Sequence, residues 1–449
     1  MKSLWKGLSR AMQGKDLRGQ LLRGSIGGVG LKFASISVGL ISGIVLARVL
    51  GAENYGTYSY VFAIISLIAI PAQFGLPNLV MRETAKANVN GDWSLMRGLW
   101  WWSSLCVLSM LLLLVVIGVG GGWLYSDKVS ADQLQTFAWG LAFIPLIALG
   151  SLRGAALRGL QKVVQGLLPD LLIRPVLLVC FVLLFSWWGD NGIKSSGAMA
   201  MNVLAASIAF LVGAVLLWKQ RPKPLLLRPT PRYEYGYWVK SAVPFALVAG
   251  IDFVNTQTDI VMLGIYGTSA DVGVYKVAAS GASLVSFGFM AISLVVLPFF
   301  ARLHADGDMK RFQRLSTASV IFSFAIALPA FFIFLLFGKL ILELVFGLEY
   351  VSGYSVLVIL SIAQIVSVFF GMAGRMLNMM GYQNDTWKGM AAGAVCNVVL
   401  NAILIPIYGS NGAALATAIS VFIWNMVLWR TIYIRTGIDS SILSVLKRA

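Results

Sequence analysis

The sequence has very few of the residues that carry metal and enzyme chemistry. Among its 449 residues there are one histidine and three cysteines. His304 has no second histidine or cysteine at zinc-ligand spacing, and the cysteines lie in separate apolar stretches without a C-x-x-C pair. We therefore expect no metal centre, no cofactor and no disulfide framework.

Nucleotide-binding loops are missing as well. Two glycine-rich strings, GSIGGVG at 24–30 and GVGGG at 118–122, lack the preceding strand and the Lys-Ser/Thr pair of a phosphate-binding loop. Glycines that let membrane helices pack closely explain these strings better. ATP is therefore excluded as the direct energy source.

Charge is scarce too, at 12% of residues, whereas 58% are hydrophobic and the mean hydropathy is +0.82. The pattern predicts an all-α polytopic membrane protein with about 12 transmembrane helices of roughly 20 apolar residues each. We expect a basic cytoplasmic arm at 1–23 that is not a cleaved signal, six helices in 24–218, and a basic cytoplasmic linker at 219–236. Six more helices follow in 237–433, and then a cytoplasmic tail at 434–449.

The net charge of +17 reflects membrane orientation and not a nucleic-acid partner. Most of the 35 lysines and arginines fall in the two terminal segments and in alternate loops, whereas the opposite loops hold only Lys128, Lys194 and Lys339. This asymmetry predicts both termini on the cytoplasmic side and an even number of spans.

The two halves of the chain resemble each other. ARVLGAENYGTY matches GIYGTSADVGVY, so that Gly51, Gly56 and Tyr58 correspond to Gly267, Gly273 and Tyr275. Halves with an even number of helices keep the same orientation, which predicts two pseudo-symmetric six-helix lobes around a central cavity.

Five cations lie within the apolar spans, and such charges mark functional sites because they are costly in a bilayer. They are Lys32, Arg48, Arg174, Lys240 and Lys276. For Lys32, Arg174 and Lys240, the alternative is a side chain that reaches the nearby interface.

Asp252, Asn255 and Asp259 are spaced to share one stripe of a helix, which must therefore face something polar. Asp259 and Lys276 flank the Tyr266-Gly267 turn, so an ion pair between two helices is the structural alternative to a functional role.

The second span is interrupted by Pro71, Gln73, Gly75 and Pro77. Such a break is tolerated where neighbouring helices or cavity water satisfy the freed backbone groups. The sequence leaves open whether it is a hinge, a gate or a simple kink.

The string LARVLGAENYGTYSYVFAI, followed by a Gly-Leu-Pro segment and LVMRETAK, resembles the Wzx-type lipid-linked oligosaccharide flippases of the MOP superfamily. The likeness extends over the whole chain, and NTQTDIVMLGIYGTSADVGVYKVA is similar to the superfamily's first-helix signature. Arg82 and Glu83 match a family pattern after the second span and are candidate gate or packing residues.

The resemblance implies two lobes in a V that move an undecaprenyl-diphosphate-linked glycan from the cytoplasmic to the periplasmic leaflet of the bacterial inner membrane. The five cations would line the cavity for this anion; we expect Lys32 and Arg48 to contact substrate. Asp252, Asn255 and Asp259 are the candidates for coupling to H⁺ or Na⁺. The polymerase and chain-length regulator of O-antigen lipopolysaccharide assembly, or of another surface polysaccharide, are the implied partners.

Three other functions remain. A multidrug or small-molecule antiporter on the same fold would use Asp252 or Asp259 as its ion site, although five cations are an awkward lining for organic cations. The second is a membrane enzyme of polysaccharide assembly, which would need acid/base candidates that are not visible in the sequence. The third is a non-transporting scaffold for such enzymes.

Overall fold

The computed structural model describes residues 17–124, 130–188, 192–227 and 229–445, and these ranges contain helices and no strand. Most of the predicted basic arm, the end of the predicted tail and Lys128 lie outside them.

The helices of the first part of the chain follow each other with short connections. They are α1 (Leu17–Gln73), α2 (Leu76–Asn90), α3 (Trp93–Leu124), α4 (Ala131–Gly159), α5 (Val163–Leu168), α6 (Arg174–Trp188), α7 (Ser195–Gln220) and α8 (Lys223–Leu226). A π-helical turn at Pro169–Ile173 joins α5 to α6.

The later part contains seven more α-helices. They are α9 (Tyr235–Tyr266), α10 (Ser269–Ser283), α11 (Phe287–Ala305), α12 (Met309–Ile341), α13 (Tyr354–Phe370), α14 (Ala373–Met379) and α15 (Gln383–Thr436). A π-helical turn at Leu342–Phe346 and a 3₁₀ segment at Leu348–Gly353 connect α12 to α13.

Within the described ranges, ten helical segments are long and apolar enough to cross a membrane. This confirms a polytopic all-α membrane protein; the count of twelve crossings stays a prediction. Two helices, of 57 and 54 residues, are long enough for two crossings of about 30 Å at about 1.5 Å per residue. α1 and α15 have non-helical backbone at Gly51 (φ 73°) and Gly409 (φ 55°), where each changes direction.

The chain forms two compact units. The first contains the chain up to Val49 and Ile64–Gly250, and the second contains Leu50–Ala63 and the chain from Ile251 onward. The division therefore passes through α1 and α9. The predicted lobe boundaries at 219–236 remain a separate prediction about the arrangement in the membrane.

Local sequence explains where several helices begin and how closely they pack. Ser130 starts α4 with a capping box to Gln133, and Thr268 starts α10 with one to Asp271. Inside the first unit, α4 and α5 approach closely because both have glycine at the contact. A Cβ at Gly154 would lie 2.7 Å from the carbonyl oxygen of Gly166.

The hydropathy of the sequence places a cytoplasmic loop at 153–169, but the helix before it ends later than this. α4 continues to Gly159, so Arg153 is a helical residue, and it is 6% exposed. The hydropathy misplaces this boundary because charged residues lower the local average whether or not they leave the helix.

Candidate functional site

Asp259, on α9 in the second unit, is the centre of a cluster of polar side chains. Asn397 and Asn401 donate to its Oδ1 at 3.1 and 2.7 Å, and the hydroxyls of Tyr275 and Thr417 donate to its Oδ2 at 2.7 and 2.6 Å. Both carboxylate oxygens are therefore fully engaged by donors from α10 and α15.

The kinked helix α15 supplies most of this cluster. Asn397 and Asn401 lie one turn apart before Gly409, and Thr417 lies after it. The two asparagines are 4% and 0% exposed, and the Oδ1 atom of Asn401 is buried without a hydrogen-bond partner. Rotation of this amide by about 180° would turn an oxygen toward the site in place of a donor.

The groups of the cluster that carry oxygen are one carboxylate, two amides and two hydroxyls. Oxygen ligands of this kind suit hard cations, and a cluster with one carboxylate suits one positive charge. The cluster can therefore hold a proton on Asp259 or a small monovalent cation among its oxygens.

Two members of the predicted stripe, Asn255 and Asp259, face α15. Asn255 is half-buried and donates to the carbonyl oxygen of Met390 at 3.4 Å. The third member, Asp252, is exposed. The side chain of Asp252 makes no hydrogen bond or ion pair with a described residue. Asp259 is thus the stripe's most enclosed carboxylate.

Lys276 follows Tyr275 on α10 and is half-buried. It does not form the ion pair with Asp259 that the sequence offers as an alternative. Tyr275, one residue earlier, reaches the carboxylate instead. Adjacent residues on a helix point about 100° apart, so only one of the two can face α15.

The other four predicted cavity cations belong to the first unit. Lys32 and Arg48 on α1 and Lys240 on α9 are exposed. Arg174, at the start of α6, lies with its guanidinium 5.5 Å from the ring centre of Phe143. This position fits a cation–π contact inside the unit.

The interruption of the second span is visible at Phe74 and Gly75, which have φ values of 42° and 68°. α1 ends at Gln73, whose side chain accepts a hydrogen bond from Ser151, and α2 restarts with Pro77 in its first turn. A side chain at Gly75 would lie 2.5 Å from the carbonyl oxygen of Ala242, so the break packs directly on α9.

Arg82 and Glu83 lie on α2 after this break. The Glu83 side chain is 3% exposed; it receives Nε of Arg82 at 2.8 Å and the hydroxyl of Tyr237 at 3.2 Å. The Arg82 guanidinium also lies 5.5 Å from the ring centre of Phe245. These two residues therefore bind α2 to the beginning of α9.

Residues 50–63 dock within the second unit. After the turn at Gly51, the backbone N–H of Ala52 donates to Oε2 of Glu349 at 2.7 Å. One helical turn on, Gly56 lies against Gly273 of α10, where a Cβ at Gly56 would be 2.8 Å from the backbone nitrogen of Gly273. The segment is held by a charged cap and a contact between glycines.

Sequence reasoning missed the partners of Asp259, which are Tyr275, Asn397, Asn401 and Thr417. A signal was present for two of them, because Asn397 and Asn401 are spaced four apart in an otherwise apolar stretch. Arg153 was missed because it was assigned to a loop.

Comparisons with known proteins agree with this architecture. A family model described as polysaccharide biosynthesis protein matches residues 21–304. The probable low-salt glycan biosynthesis flippase Agl15 of Haloferax volcanii is 24% identical over 411 residues, which cover 91% of this chain and 81% of that protein.

Two solved structures show the same fold. The lipid II flippase MurJ in an inward closed conformation has a TM-score of 0.70 at 14% identity and covers 93% of this chain and 90% of its own. An inward-facing multidrug resistance MATE transporter of the MOP superfamily has a TM-score of 0.72 at 13% identity, with 95% and 99% covered. The chain therefore belongs to the polysaccharide biosynthesis protein family, as a multi-pass membrane protein with the fold that these MOP-superfamily structures share.

Proposed function

We propose that the protein is a flippase that moves an undecaprenyl-diphosphate-linked oligosaccharide across the bacterial inner membrane. Transport runs from the cytoplasmic to the periplasmic leaflet by alternating access, with both termini in the cytoplasm. The observation that carries this proposal is the likeness to a named glycan flippase over 91% of the chain.

The intramembrane cations are proposed to bind the diphosphate. Lys32, Arg48 and Lys240 are exposed on apolar helices, where a cation is retained mainly if it faces a watery cavity or a ligand. An arginine can bind phosphate through two parallel hydrogen bonds, whereas a lysine acts as a point charge. Arg174 and Lys276 are also proposed to bind the diphosphate. The lipid chain stays in the bilayer.

Ion coupling is proposed to reside at Asp259, with Na⁺ or H⁺ as the ion. Binding of either ion neutralises the carboxylate, and Na⁺ additionally requires the amides of Asn397 and Asn401 to present their oxygens. The unpartnered Oδ1 of Asn401 supports this exchange. Because the cluster joins α9, α10 and α15, its occupancy would alter the packing of the three helices.

The coupling is tested with purified protein in liposomes that contain a fluorescently labelled polyprenyl-diphosphate glycan. Transport by Asp259→Asn is measured across sodium concentrations and pH values, with Asp252→Asn as the matched carboxylate outside the cluster. We expect the ion dependence to disappear only in Asp259→Asn. If both variants keep the wild-type dependence, Asp259 is not the coupling site.

The substrate is tested in a deletion strain. We expect lipid-linked repeat units to accumulate on the cytoplasmic side, with rescue by the wild-type protein and by Lys223→Gln but not by Lys32→Gln combined with Arg48→Gln. Normal surface polysaccharide in the deletion strain would contradict the proposal, and specific loss of drug efflux would favour the antiporter. The polymerase and chain-length regulator of O-antigen assembly are the proposed partners, to be sought by crosslinking in the same strain.

A further inference from the structure

Two neighbouring cavities lie within the first unit. The first, the apolar groove, has a volume of about 500 Å³ and is lined largely by Leu108, Leu149, Leu152 and Ala214 of α3, α4 and α7. The second, the basic mouth, has a volume of about 560 Å³ and is lined by Arg97, Trp101, Tyr233 and others. Trp100 and Arg221 line both, so the two cavities adjoin.

Arg153 lies at the wall of the apolar groove. Its side chain is 5% exposed, and its Nη1 atom donates to the carbonyl oxygen of Phe210 at 2.6 Å. Nη2 forms an ion pair with Asp170 at 3.6 Å without a hydrogen bond, and Nε is buried without a partner. The guanidinium is therefore only partly neutralised and adds positive charge to the wall of the groove.

The chain has room built in for this guanidinium. A Cβ at Gly213 of α7 would overlap Cζ and Nε of Arg153. The glycine thus lets α7 pass beside the charged group, which lies within a candidate membrane span. A helix that needed only apolar packing would have no such requirement.

The basic mouth adds two further arginines that form no ion pair with a described residue. Arg97 donates through Nη1 to the carbonyl oxygen of Pro229 at 2.7 Å. Arg221 lies 5.3 Å from the ring centre of Trp218, and its Nε atom is buried without a partner. Three guanidinium groups therefore line the two cavities, and no carboxylate is among the described residues that line them.

We infer that these two cavities bind an anionic glycerophospholipid of the surrounding bilayer, with its phosphate at the basic mouth and acyl chain in the apolar groove. Basic pockets between membrane helices recognise anionic headgroups in this way. Trp100, Trp101 and Trp218 are the side chains expected at headgroup level. The apolar lining favours a lipid over free phosphate, and the surplus of arginine favours an anionic over a zwitterionic headgroup.

The inference is tested by native mass spectrometry of the full chain in detergent, titrated with phosphatidylglycerol or phosphatidylcholine. We expect wild type to prefer phosphatidylglycerol, and the double variant Arg97→Gln/Arg221→Gln to lose at least about tenfold in its affinity. Arg311→Gln is the matched control, since this exposed arginine of the second unit pairs with Asp308 and lines neither cavity, and its loss leaves the affinity unchanged. Ala214→Trp, which fills the groove and keeps every charge, lowers the affinity as well.

Four outcomes would overturn the inference. The first three are equal binding of the two lipids by wild type, unchanged phosphatidylglycerol affinity in both Arg97→Gln/Arg221→Gln and Ala214→Trp, and displacement of the lipid by inorganic phosphate, which would assign a soluble anion. Competition by a polyprenyl diphosphate would likewise assign the cavities to the transported lipid. Arg97 and Arg221 are partly exposed, so the double variant folds; a thermal melt checks this.

Discussion

Gly56 and Gly273 lie against each other so closely that neither position has room for a Cβ. At Gly56 the added atom would overlap the carbonyl oxygen of Ser269, and at Gly273 it would overlap that of Ala52. The two glycines occupy matching places in the internal repeat, so equivalent positions of the two halves form a direct backbone contact. Such contacts between helices depend on small residues.

Gly56→Ala should separate residues 50–63 from α10, because backbone atoms cannot yield to a new methyl group. We expect a loss of about 1–3 kcal/mol in stability from overpacking. In a background with the three cysteines replaced by serine, a cysteine at the buried position Thr57 should react faster with maleimide. Gly39→Ala, with nothing within 4 Å of its added Cβ, is the control and should change neither property.

Glu349→Ala should weaken the start of the helix that follows Gly51, because the carboxylate accepts from the backbone N–H of Ala52. Loss of a helix cap costs about 0.5–2 kcal/mol. Thermal unfolding in detergent measures this loss of stability. The matched control is Glu343→Ala, because Glu343 is exposed. Equal effects of the two substitutions would show that the cap contributes nothing.

Asn401→Leu should lower the affinity of the Asp259 cluster for Na⁺ by at least about tenfold. The substitution removes the amide whose oxygen would bind Na⁺ after rotation, and it leaves Oδ1 of Asp259 with Asn397 alone. Asn425→Leu is the control, because Asn425 is buried on the same helix and donates only to its own helix, at Val421. Sodium titration by calorimetry and transport across pH distinguish the two variants.

Tyr237→Phe should loosen α2 from the beginning of α9, because the phenol donates to Glu83 and accepts from Arg82. A hydrogen bond to a charged group contributes about 1.5–3 kcal/mol. Tyr235→Phe, two residues earlier and engaged through ring contacts with Trp238, serves as the control. If both variants unfold at the wild-type temperature, the hydroxyl does not contribute to stability.

Asp439→Ala should release the segment after α15. Its backbone N–H donates to Gln313, and its carboxylate receives Nε1 of Trp429 at 2.9 Å and the hydroxyl of Ser441 at 2.6 Å. We expect a loss of about 2 kcal/mol or more in stability, since charged hydrogen bonds in buried surroundings are lost. Asp306→Ala breaks an exposed ion pair and should cost less than about 1 kcal/mol.

The candidate site was only partly predictable. Asp259 was identified because a carboxylate in an apolar span stands out in the sequence by itself. Its partners could not be identified in this way, since Asn397 and Thr417 lie 138 and 158 residues further along the chain. No local pattern indicates which neighbouring helix a carboxylate faces.

Lys276 illustrates the same limit. Charge alone made it a candidate partner of Asp259, yet the rotation of α10 directs Tyr275 to the carboxylate. The choice between adjacent residues depends on how a helix is turned against its neighbours, and the sequence pattern of this mixed stretch leaves that rotation open.

The sequence by itself determined the all-helical membrane class, the break of the second span at Gly75 and Pro77, and the repeat that pairs Gly56 with Gly273. These properties follow from hydropathy, backbone conformation and internal similarity, which are local or linear. Only the tertiary structure decided that the repeated glycines touch, that Asp259 is enclosed by amides and hydroxyls, and that Arg153 lies buried beside a cavity. Such features depend on helix rotation and close packing among segments distant in the chain, where a shift of one residue exchanges the side chains that meet.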